Sequence, residues 1–433
     1  MTGRRPSQIL SQFIHSPAAP VAVAGFVGIA VGLLIAALFF PPRVETVQIE
    51  VPAPPVVDQP PPGPPPSQPA VTYTPVNIEQ LPSWSSDDVA RALPALRAAC
   101  AIFDTRDSFE RVGPGGLGGT VADWRSPCTA FAVLADGDDD GLRALLRDLF
   151  TVYAVSGPDS DQGTFTGYYE ASLNGSLTRT DRFNVPLYGP PNDLIELDRR
   201  AFGLPEQTPQ VIGQVQDRRL VPYDERATIE DDTAFAERAP VLVWVDDPVD
   251  AHLLHIQGSG RVTLPDGSMR RIGYAANNGL RFRGIGGILL SAGELGPGQG
   301  SMPSVADWLR ANPESGRNYM AQNPRFIFFR WIDGPGPIGA MGAPLEPGRS
   351  LAVDPAFVPY GAPVWLDTED PDGETLERLM VALDTGSAIR GAVRGDFFWG
   401  AGADAFAKAG RMKSTGRYFL FLPRTIPAPA QPL

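Results

Sequence analysis

The sequence predicts a mainly β fold of the kind found in barrels and sandwiches. Glycine and proline occur 46 times each among 433 residues, which favours turns and short strands over long helices. From residue 164 onward, short apolar segments alternate with turn residues. Strands are predicted at residues 164–173, 241–245, 252–257, 261–263, 270–274, 325–331, 350–353, 363–366, 379–383 and 417–422. The turn Pro265-Asp266-Gly267 predicts a hairpin.

A few helices are expected beside the strands. Residues 86–103 carry an apolar stripe at helical spacing, with Ser86 and Asp87 as candidate caps. A second helix is predicted over residues 141–153. Two short helices are predicted over residues 303–310 and 313–322.

Aspartates 136, 138 and 140 match the first positions of a calcium-binding loop. The last position of such a loop requires Glu, and the sequence has Arg147 there. The aspartates are therefore interpreted as caps at the positive end of the second helix.

The N-terminal segment predicts a membrane anchor. Residues 21–40 are apolar and uncharged, and Arg4 and Arg5 precede them. A helix of this length matches a hydrocarbon core of about 30 Å. No small-residue cleavage site and no lipid-accepting Cys follow it, so a cleaved signal peptide is the weaker alternative. We expect residues 1–20 in the cytoplasm, a single signal anchor in the inner membrane and the remaining chain in the periplasm. Residues 41–79 predict an extended, Pro-rich linker.

Charge and cysteine content restrict the partners and the compartment. The formal net charge of −13 argues against a nucleic-acid partner, because no basic surplus is present to neutralise phosphates. The two cysteines, Cys100 and Cys128, lie in the part that we expect to be exported. A disulfide between them is predicted, and two small buried thiols are the alternative.

Several catalytic chemistries lack the residues they require. Besides His15, the histidines are His252 and His255, whose side chains are expected on opposite faces of a predicted strand. No zinc-binding spacing, phosphate-binding loop or Gly-x-Ser-x-Gly elbow occurs in the sequence. No metal and no cofactor are therefore predicted, and carboxylates remain as the catalytic candidates.

Three aspartates in the last third of the chain are the strongest candidates. Asp354 and Asp384 each follow an apolar strand, and Asp396 stands between Gly395 and three aromatic residues. Partial desolvation at a barrel rim would raise the pKa of such a carboxyl, so that it holds a proton for catalysis. A turn-forming or capping role is the alternative for any single one of them.

Asp384 also opens an Asp-Thr-Gly triplet, as in aspartic proteases. Such a protease needs two facing aspartates that share a proton. The sequence contains one Asp-Thr-Gly and no Asp-Ser-Gly, so a protease stays a minor alternative.

Several motifs, taken in order, resemble the membrane-bound lytic transglycosylase A family, including its three-aspartate module. The resemblance covers roughly residues 80–425. The matching stretches are FTGYYE at 165–170, IQGSG at 256–260, YAANNG at 274–279, MPS at 302–304, NPRFIFF at 323–329, LAVDP at 351–355 and ALDTGSAIRG at 382–391.

The resemblance implies two domains with a glycan groove between them. Residues 80–167 and 324–425 would form a double-psi β-barrel, and residues 168–323 a smaller inserted β-domain. Asp384 matches the catalytic aspartate of the family, and Asp354, Asp396 and Thr385 would support it. Members of the family are often lipoproteins, whereas this chain lacks the lipid-accepting Cys.

The implied reaction is the non-hydrolytic cleavage of peptidoglycan to 1,6-anhydro ends, with one carboxyl acting as acid and then as base. Partners would be glycan strands and the membrane, with wall-synthesis proteins as further candidates. A non-catalytic peptidoglycan-binding protein is the alternative. Candidate substrate-binding residues, each with a structural role as its alternative, are Tyr168, Tyr169, Gln257, Ser259, Asn277, Asn278 and Trp399.

Overall fold

A computed structural model describes residues 71–204, 210–334 and 336–429 of the chain. Of the helices in these ranges, none combines the length and the apolar composition needed to cross a membrane. The predicted anchor at residues 21–40, the segment before it and most of the predicted linker lie outside the described residues.

Strands dominate the described ranges, and short α-helices accompany them. The strands are β1 Thr72–Val76, β2 Phe150–Ser156, β3 Gly163–Ser176, β4 Val185–Tyr188, β5 Ile195–Glu196, β6 Ile212–Gln216, β7 Arg219–Pro222, β8 Val241–Val245, β9 Ser259–Thr263, β10 Met269–Asn277, β11 Ile327–Ile332, β12 Ser350–Val353, β13 Pro363–Glu369, β14 Thr375–Asp384, β15 Arg394–Ala401 and β16 Lys413–Pro423. The α-helices are α1 Leu93–Asp104, α2 Val121–Val133, α3 Asp139–Leu149, α4 Arg226–Asp231, α5 Pro248–Gln257, α6 Ile285–Ser291, α7 Met302–Ala311, α8 Pro313–Ala321 and α9 Ala403–Arg411.

Six strands pair in a closed cycle, which we call the six-stranded ring. The order is β3, β15, β12, β14, β13 and β16, and the cycle closes because β16 pairs with both β13 and β3. All four residues of β12 are buried, as is the run from Leu379 to Leu383 in β14. Strands buried on both faces read as continuous apolar runs, which is why these segments were predictable from sequence.

Helices from the N-terminal part pack against this ring. A disulfide joins Cys100 on α1 to Cys128 on α2, with the two Cα atoms 5.4 Å apart. Asp87, predicted as a helix cap, instead forms a bidentate ion pair with Arg349 at 2.7 and 2.8 Å. The Arg349 and Asp87 side chains are 3% and 7% exposed, so each depends on the other for its charge balance.

The inserted region continues from the second half of β3. Residues 171–174 of β3 pair with β9, β9 pairs with β10, and β10 pairs with β11. The hairpin predicted between β9 and β10 is present, and β11 lies on the insert side, beyond the predicted boundary at residue 323. Helices α4 to α8 and the pair β4–β8 complete the insert, and β5, β6 and β7 form a separate small sheet.

One predicted strand is wrong. Residues 252–257 belong to the helix α5, which begins at Pro248 after Asp247 accepts a hydrogen bond from the Val249 N–H at 2.7 Å. His252 and His255 are therefore three positions apart on a helix, so they share a face rather than opposing each other. Both are buried, at 3% and 8% exposure.

Three other predicted boundaries shift. The helix predicted from residue 86 is a 3₁₀ turn at Val89–Ala92 followed by α1. The helix predicted to end at residue 153 stops at Leu149, because the β-branched and aromatic residues that follow form β2. Residues 72–76, predicted as linker, form β1 and pair with β2.

Candidate active site

The ring brings two of the three candidate aspartates into one row across the sheet. Ala352 in β12 is the register partner of Asp384 in β14 on one side and of Asp396 in β15 on the other. Asp396 is in turn the partner of Thr166 in β3. Two strand spacings of about 4.8 Å each separate β14 from β15 across β12. The register between β12 and β14 shifts just before this row, and the charge of Asp384 acts on the Asp396 carboxyl.

Asp384 is held by backbone donors through one oxygen. Its Oδ1 accepts the N–H of Ala340 at 2.8 Å and the N–H of Thr385 at 2.9 Å. The residue is half-buried by surface area, yet the surrounding atoms desolvate the carboxyl. This desolvation raises the pKa of Asp384 to about 6, against the lowering effect of the two backbone donors and of the nearby Tyr168 hydroxyl. The carboxyl thus exchanges its proton near neutral pH.

Asp396 has a similar pKa but different partners. Its Oδ1 accepts the Thr166 hydroxyl at 2.5 Å, and the same hydroxyl oxygen accepts from Arg394 Nη2 at 2.7 Å. Desolvation raises the pKa of Asp396 to about 6, and the charge of Asp384 adds to it, whereas Thr166 and Arg394 oppose it. The two carboxyls are therefore coupled, and each disfavours the ionisation of the other.

Asp354 has a structural position at the end of β12. Its Oδ2 accepts the Gly391 N–H at 2.8 Å, and its Oδ1 accepts the Ala356 N–H at 3.1 Å. These bonds fasten the end of the loop that begins at Asp384. Thr385 Oγ1, in the same loop, is buried without a hydrogen-bond partner in the described part of the chain.

Two of the predicted substrate-binding aromatic residues adjoin the row. Tyr168 lies two positions after Thr166 in β3, on the same face, and its ring packs 5.0 Å from that of Phe398. Burial, followed by the charges of Asp384 and Asp396, raises the pKa of its hydroxyl well above the usual value. The hydroxyl lies near Asp384, although no hydrogen bond of good geometry joins it to a described residue.

Trp399 packs at the contact between the core of the ring and the core of the insert. Lys408 Nζ lies 5.0 Å above the indole, and the ring centroid of Phe397 is 4.6 Å away. Gly167 makes room for the indole, since a Cβ at this glycine would lie 2.6 Å from Trp399 Nε1. Among the described residues, Nε1 finds no acceptor.

The other predicted substrate-binding residues have structural partners. Tyr169 is 6% exposed, and its ring packs on Phe406 in the core of the insert. Asn278 is fully buried, and its amide group bonds to the backbone of Asp224, Pro324 and Phe326. Both side chains have structural contacts here, and their contact with substrate stays a prediction.

Gln257 and Asn277 also support the backbone. Gln257 accepts the Tyr169 N–H at 3.1 Å. Asn277 accepts the Gly279 N–H at 2.8 Å and donates to the Tyr274 hydroxyl at 2.7 Å. Ser259 begins β9 and is half-buried. Of this group, Asn277 is the one in contact with an exposed aromatic ring.

The structure adds three groups that sequence reasoning missed. The first is the backbone N–H of Ala340, which follows Gly339 in a loop packed on the end of β14. The second is Tyr360, whose pKa burial raises to about 12 and which senses the charge of Asp384. The third is Tyr274, whose ring is 46% exposed. The only signals for the two tyrosines were a Pro-Tyr-Gly triplet and the position of Tyr274 in the YAANNG motif.

No group of three or more His, Cys, Asp or Glu side chains within residues 71–204, 210–334 and 336–429 has an arrangement suited to a metal ion.

Two family models match the chain. The model of the "MltA specific insert domain" covers residues 164–330, and that of the "3D domain" covers residues 349–422. The first range begins within β3 and ends within β11, as the sheet pairing of the insert does. The second range contains all three aspartates discussed above.

Solved structures and curated relatives agree with these matches. The crystal structure of MltA from Neisseria gonorrhoeae, in its monoclinic form, is 34% identical with a TM-score of 0.71, and the match covers 84% of this chain and 95% of that one. A membrane-bound lytic murein transglycosylase from Agrobacterium tumefaciens is 30% identical with a TM-score of 0.72, covering 82% and 98%. The membrane-bound lytic murein transglycosylase A of Escherichia coli K12 is 28% identical over 294 residues, which are 66% of this chain and 72% of the relative. The chain therefore belongs to the MltA family of lytic murein transglycosylases, a family of enzymes of the lyase class.

Proposed function

We propose that this protein cleaves the β-1,4 bond between N-acetylmuramic acid and N-acetylglucosamine in peptidoglycan without water, leaving a 1,6-anhydro end. Membership of the family supports the general activity. The observation that carries the mechanism is Asp384, a desolvated carboxyl at the end of β14 with a pKa of about 6. Such a group is both a competent acid and a competent base near neutral pH.

In the first step, the protonated Asp384 donates its proton to the glycosidic oxygen, and the C1–O bond of the muramic acid breaks. The N-acetyl group of the substrate stabilises the positive charge that develops at C1, as in substrate-assisted glycosidases. In the second step, the Asp384 carboxylate takes the proton of the O6 hydroxyl, and O6 bonds to C1. The residue ends the cycle protonated, so no water is consumed.

The neighbouring groups would keep this carboxyl in position. The backbone N–H groups of Ala340 and Thr385 hold Oδ1, which leaves Oδ2 to exchange the proton with the substrate. Asp354 holds the far end of the same loop through the Gly391 N–H. Asp396 would favour the protonated state of Asp384 through its charge.

Substrate contacts are proposed for the exposed Tyr274, for the half-buried Trp399 and Ser259, and for Tyr168 and Asn277, which are 9% and 7% exposed. Trp399 and Tyr274 would offer aromatic faces, the Tyr168 hydroxyl lies near Asp384, and Ser259 and Asn277 would bond hydroxyl or acetamido groups. The groove would lie between the six-stranded ring and the insert, and the ring would be a double-psi β-barrel.

The anchor prediction is retained for the segment at residues 21–40. We propose a single uncleaved span in the inner membrane, with the catalytic part in the periplasm. The membrane-bound names of the relatives support membrane association, and the disulfide between Cys100 and Cys128 fits an oxidising compartment. Recovery of a mature protein that begins near Pro41 on N-terminal sequencing would contradict it.

Product analysis tests the function directly. The full chain is incubated with purified peptidoglycan, and the soluble products are identified by mass spectrometry. Anhydro-muropeptides are the expected products. Reducing ends would indicate a hydrolase, new free amino termini a protease, and no release a binding protein.

Asp384→Asn tests the assignment of the acid and base. The variant keeps the shape of the side chain but cannot cycle a proton, so turnover should fall by about 10²–10⁴-fold with unchanged sedimentation on insoluble peptidoglycan. Asp266→Asn, in the exposed β9–β10 turn, is the matched control and should keep full turnover. Asp396→Asn should lose less than Asp384→Asn. If Asp384→Asn retains more than about a tenth of the turnover, the assignment is wrong.

A further inference from the structure

A cavity lies within the insert. None of the residues of the carboxyl row, which are Thr166, Asp396, Ala352 and Asp384, lines it. Its volume is about 530 Å³, within the range of small-molecule sites. The face of α5 that carries His252 and His255 forms one wall. Helices α4, α7 and α8 and strand β4 supply the others.

His252 is the unusual residue of this cavity. It is 3% exposed, and neither ring nitrogen has a hydrogen-bond partner in the described part of the chain. A buried polar group without a partner costs free energy, so its presence needs a compensating role. Every imidazole has one donor and one acceptor when neutral, and two donors when protonated.

The neighbours of His252 are rich in donors. His255 Nδ1 accepts the Ile327 N–H at 3.1 Å, so the proton of the neutral ring is on Nε2. Arg226, 1% exposed, donates to Glu230 at 2.7 Å and to the backbone oxygens of Asn323 and Arg325. Glu230 balances Arg226. The two other arginines that line the cavity, Arg310 and Arg317, form ion pairs with Asp247 and Asp231. An anion entering the cavity would therefore meet guanidinium groups that already have acidic partners.

The walls around this buried polar end are largely apolar. Val249, Leu309, Met320 and Phe326 line the cavity. They match an aliphatic body rather than a highly hydroxylated one, because they offer no hydrogen bonds to hydroxyl groups. A ligand with an apolar body and an acceptor-rich head would fit both ends.

We propose that this cavity is a binding site for a small aliphatic carboxylate, which binds together with one proton taken from solvent by His252. The protonated imidazole donates to the carboxylate, and the added positive charge balances the added negative one. The site is independent of the proposed catalytic reaction.

The charged surroundings support this coupling. Burial, followed by the charge of Arg226, lowers the pKa of both imidazoles well below 6.5, so the unliganded pair is neutral at pH 7. A carboxylate placed against His252 opposes both effects. The remaining charged or titratable groups at the cavity are Glu230 on α4, Asp247 before α5, Arg310 on α7, Arg317 on α8 and Tyr188 on β4.

Isothermal titration of the full chain in a non-ionic detergent with sodium hexanoate tests the site. The expected dissociation constant is about 1 mM or tighter for this probe of about eight non-hydrogen atoms. Repeating the titration at pH 7 in buffers of different ionisation enthalpy should give an uptake close to one proton per hexanoate. Hexanamide, which has the same shape without the charge, should bind at least tenfold more weakly.

Two variants locate the binding. His252→Leu removes both nitrogens at similar volume, so it should weaken hexanoate binding at least tenfold while the melting temperature stays level or rises. Asp384→Asn should bind hexanoate as the wild type does. Equal binding of hexanamide, no proton uptake, unchanged affinity in His252→Leu or lost affinity in Asp384→Asn would each overturn the proposal. None of these outcomes bears on peptidoglycan turnover, which is measured separately.

Discussion

The hydrogen bond from the Ala340 N–H to Asp384 controls how readily this carboxyl ionises, and Ala340→Pro removes it. The bond is 2.8 Å long and is one of two backbone bonds to Oδ1. Proline has no N–H, and Gly339 before it tolerates the restriction that proline places on the preceding residue. Because the lost bond favours the charged form, its removal should raise the pKa of Asp384.

The size of the shift follows from the strength of such a bond. A hydrogen bond to a charged group contributes about 1.5–3 kcal/mol, and one pKa unit corresponds to about 1.4 kcal/mol. The pKa should therefore move from about 6 to roughly 7–8. At pH 8 the protonated fraction would be roughly 1% in the wild type and roughly 10–50% in the variant.

The assay is the initial rate of anhydro-muropeptide release at low substrate concentration, measured from pH 4.5 to 9. Under these conditions the profile reports the groups of the free enzyme. The pH at which the rate falls on the alkaline side of the profile should be higher by about one to two pH units in Ala340→Pro than in the wild type. Ala340→Gly keeps the N–H and should retain the wild-type profile.

A superimposable profile for Ala340→Pro, in a variant that melts as the wild type does, would refute this account. It would mean either that the backbone donor does not tune the reacting carboxyl or that Asp384 is not the group being titrated. A parallel loss of rate at every pH would point instead to a displaced loop.

Two further perturbations probe packing and buried charge. Gly167→Ala should lower the free energy of unfolding by about 1–3 kcal/mol, because the new Cβ would lie 2.6 Å from Trp399 Nε1. Gly287→Ala is the control: no atom lies within 4 Å of its added Cβ, so thermal melts should show it to be neutral or stabilising. Because the folded-state pKa of His252 is depressed, the unfolded state binds a proton that the folded state does not bind once the pH falls below about 6.5, and this destabilises the folded state. Chemical denaturation from pH 7 to 5 should therefore show that the free energy of unfolding falls less steeply in His252→Leu than in the wild type, by up to about 1.4 kcal/mol per pH unit. Equal dependence of this free energy on pH in the two proteins would contradict a neutral buried His252.

Sequence reasoning succeeded where a strand is buried on both faces. The runs at 350–353 and 379–383 are continuous and apolar, and they correspond to β12 and to the end of β14. The position of Asp384 at a strand end followed from the same pattern. The strand β15, which carries Asp396, was missed because glycine and charged residues interrupt its apolar residues.

The failures have local and long-range causes. The apolar residues at 252–257 are compatible with either a strand or a helix. The residues that indicate a helix, Asp247 as its cap and Pro248 in its first turn, come before the segment that was predicted as a strand. Asp87 resembles a cap in the sequence, whereas its partner Arg349 is 262 positions away. The Ala340 N–H is a backbone group, so no side chain marks it.

Asp384 and Asp396 have similar pKa values, so the proposal that Asp384 is the reacting group rests on the difference between their hydrogen-bond partners. The Thr166 hydroxyl donates a hydrogen bond to Asp396 and accepts one from Arg394. These two linked hydrogen bonds favour the negatively charged form of Asp396. Asp384 is oriented through a single oxygen by backbone groups that do not titrate. It can change protonation state at the other oxygen without disturbing its support. A reaction that uses one carboxyl as acid and then as base needs this arrangement, because the group must hold the same geometry in both states.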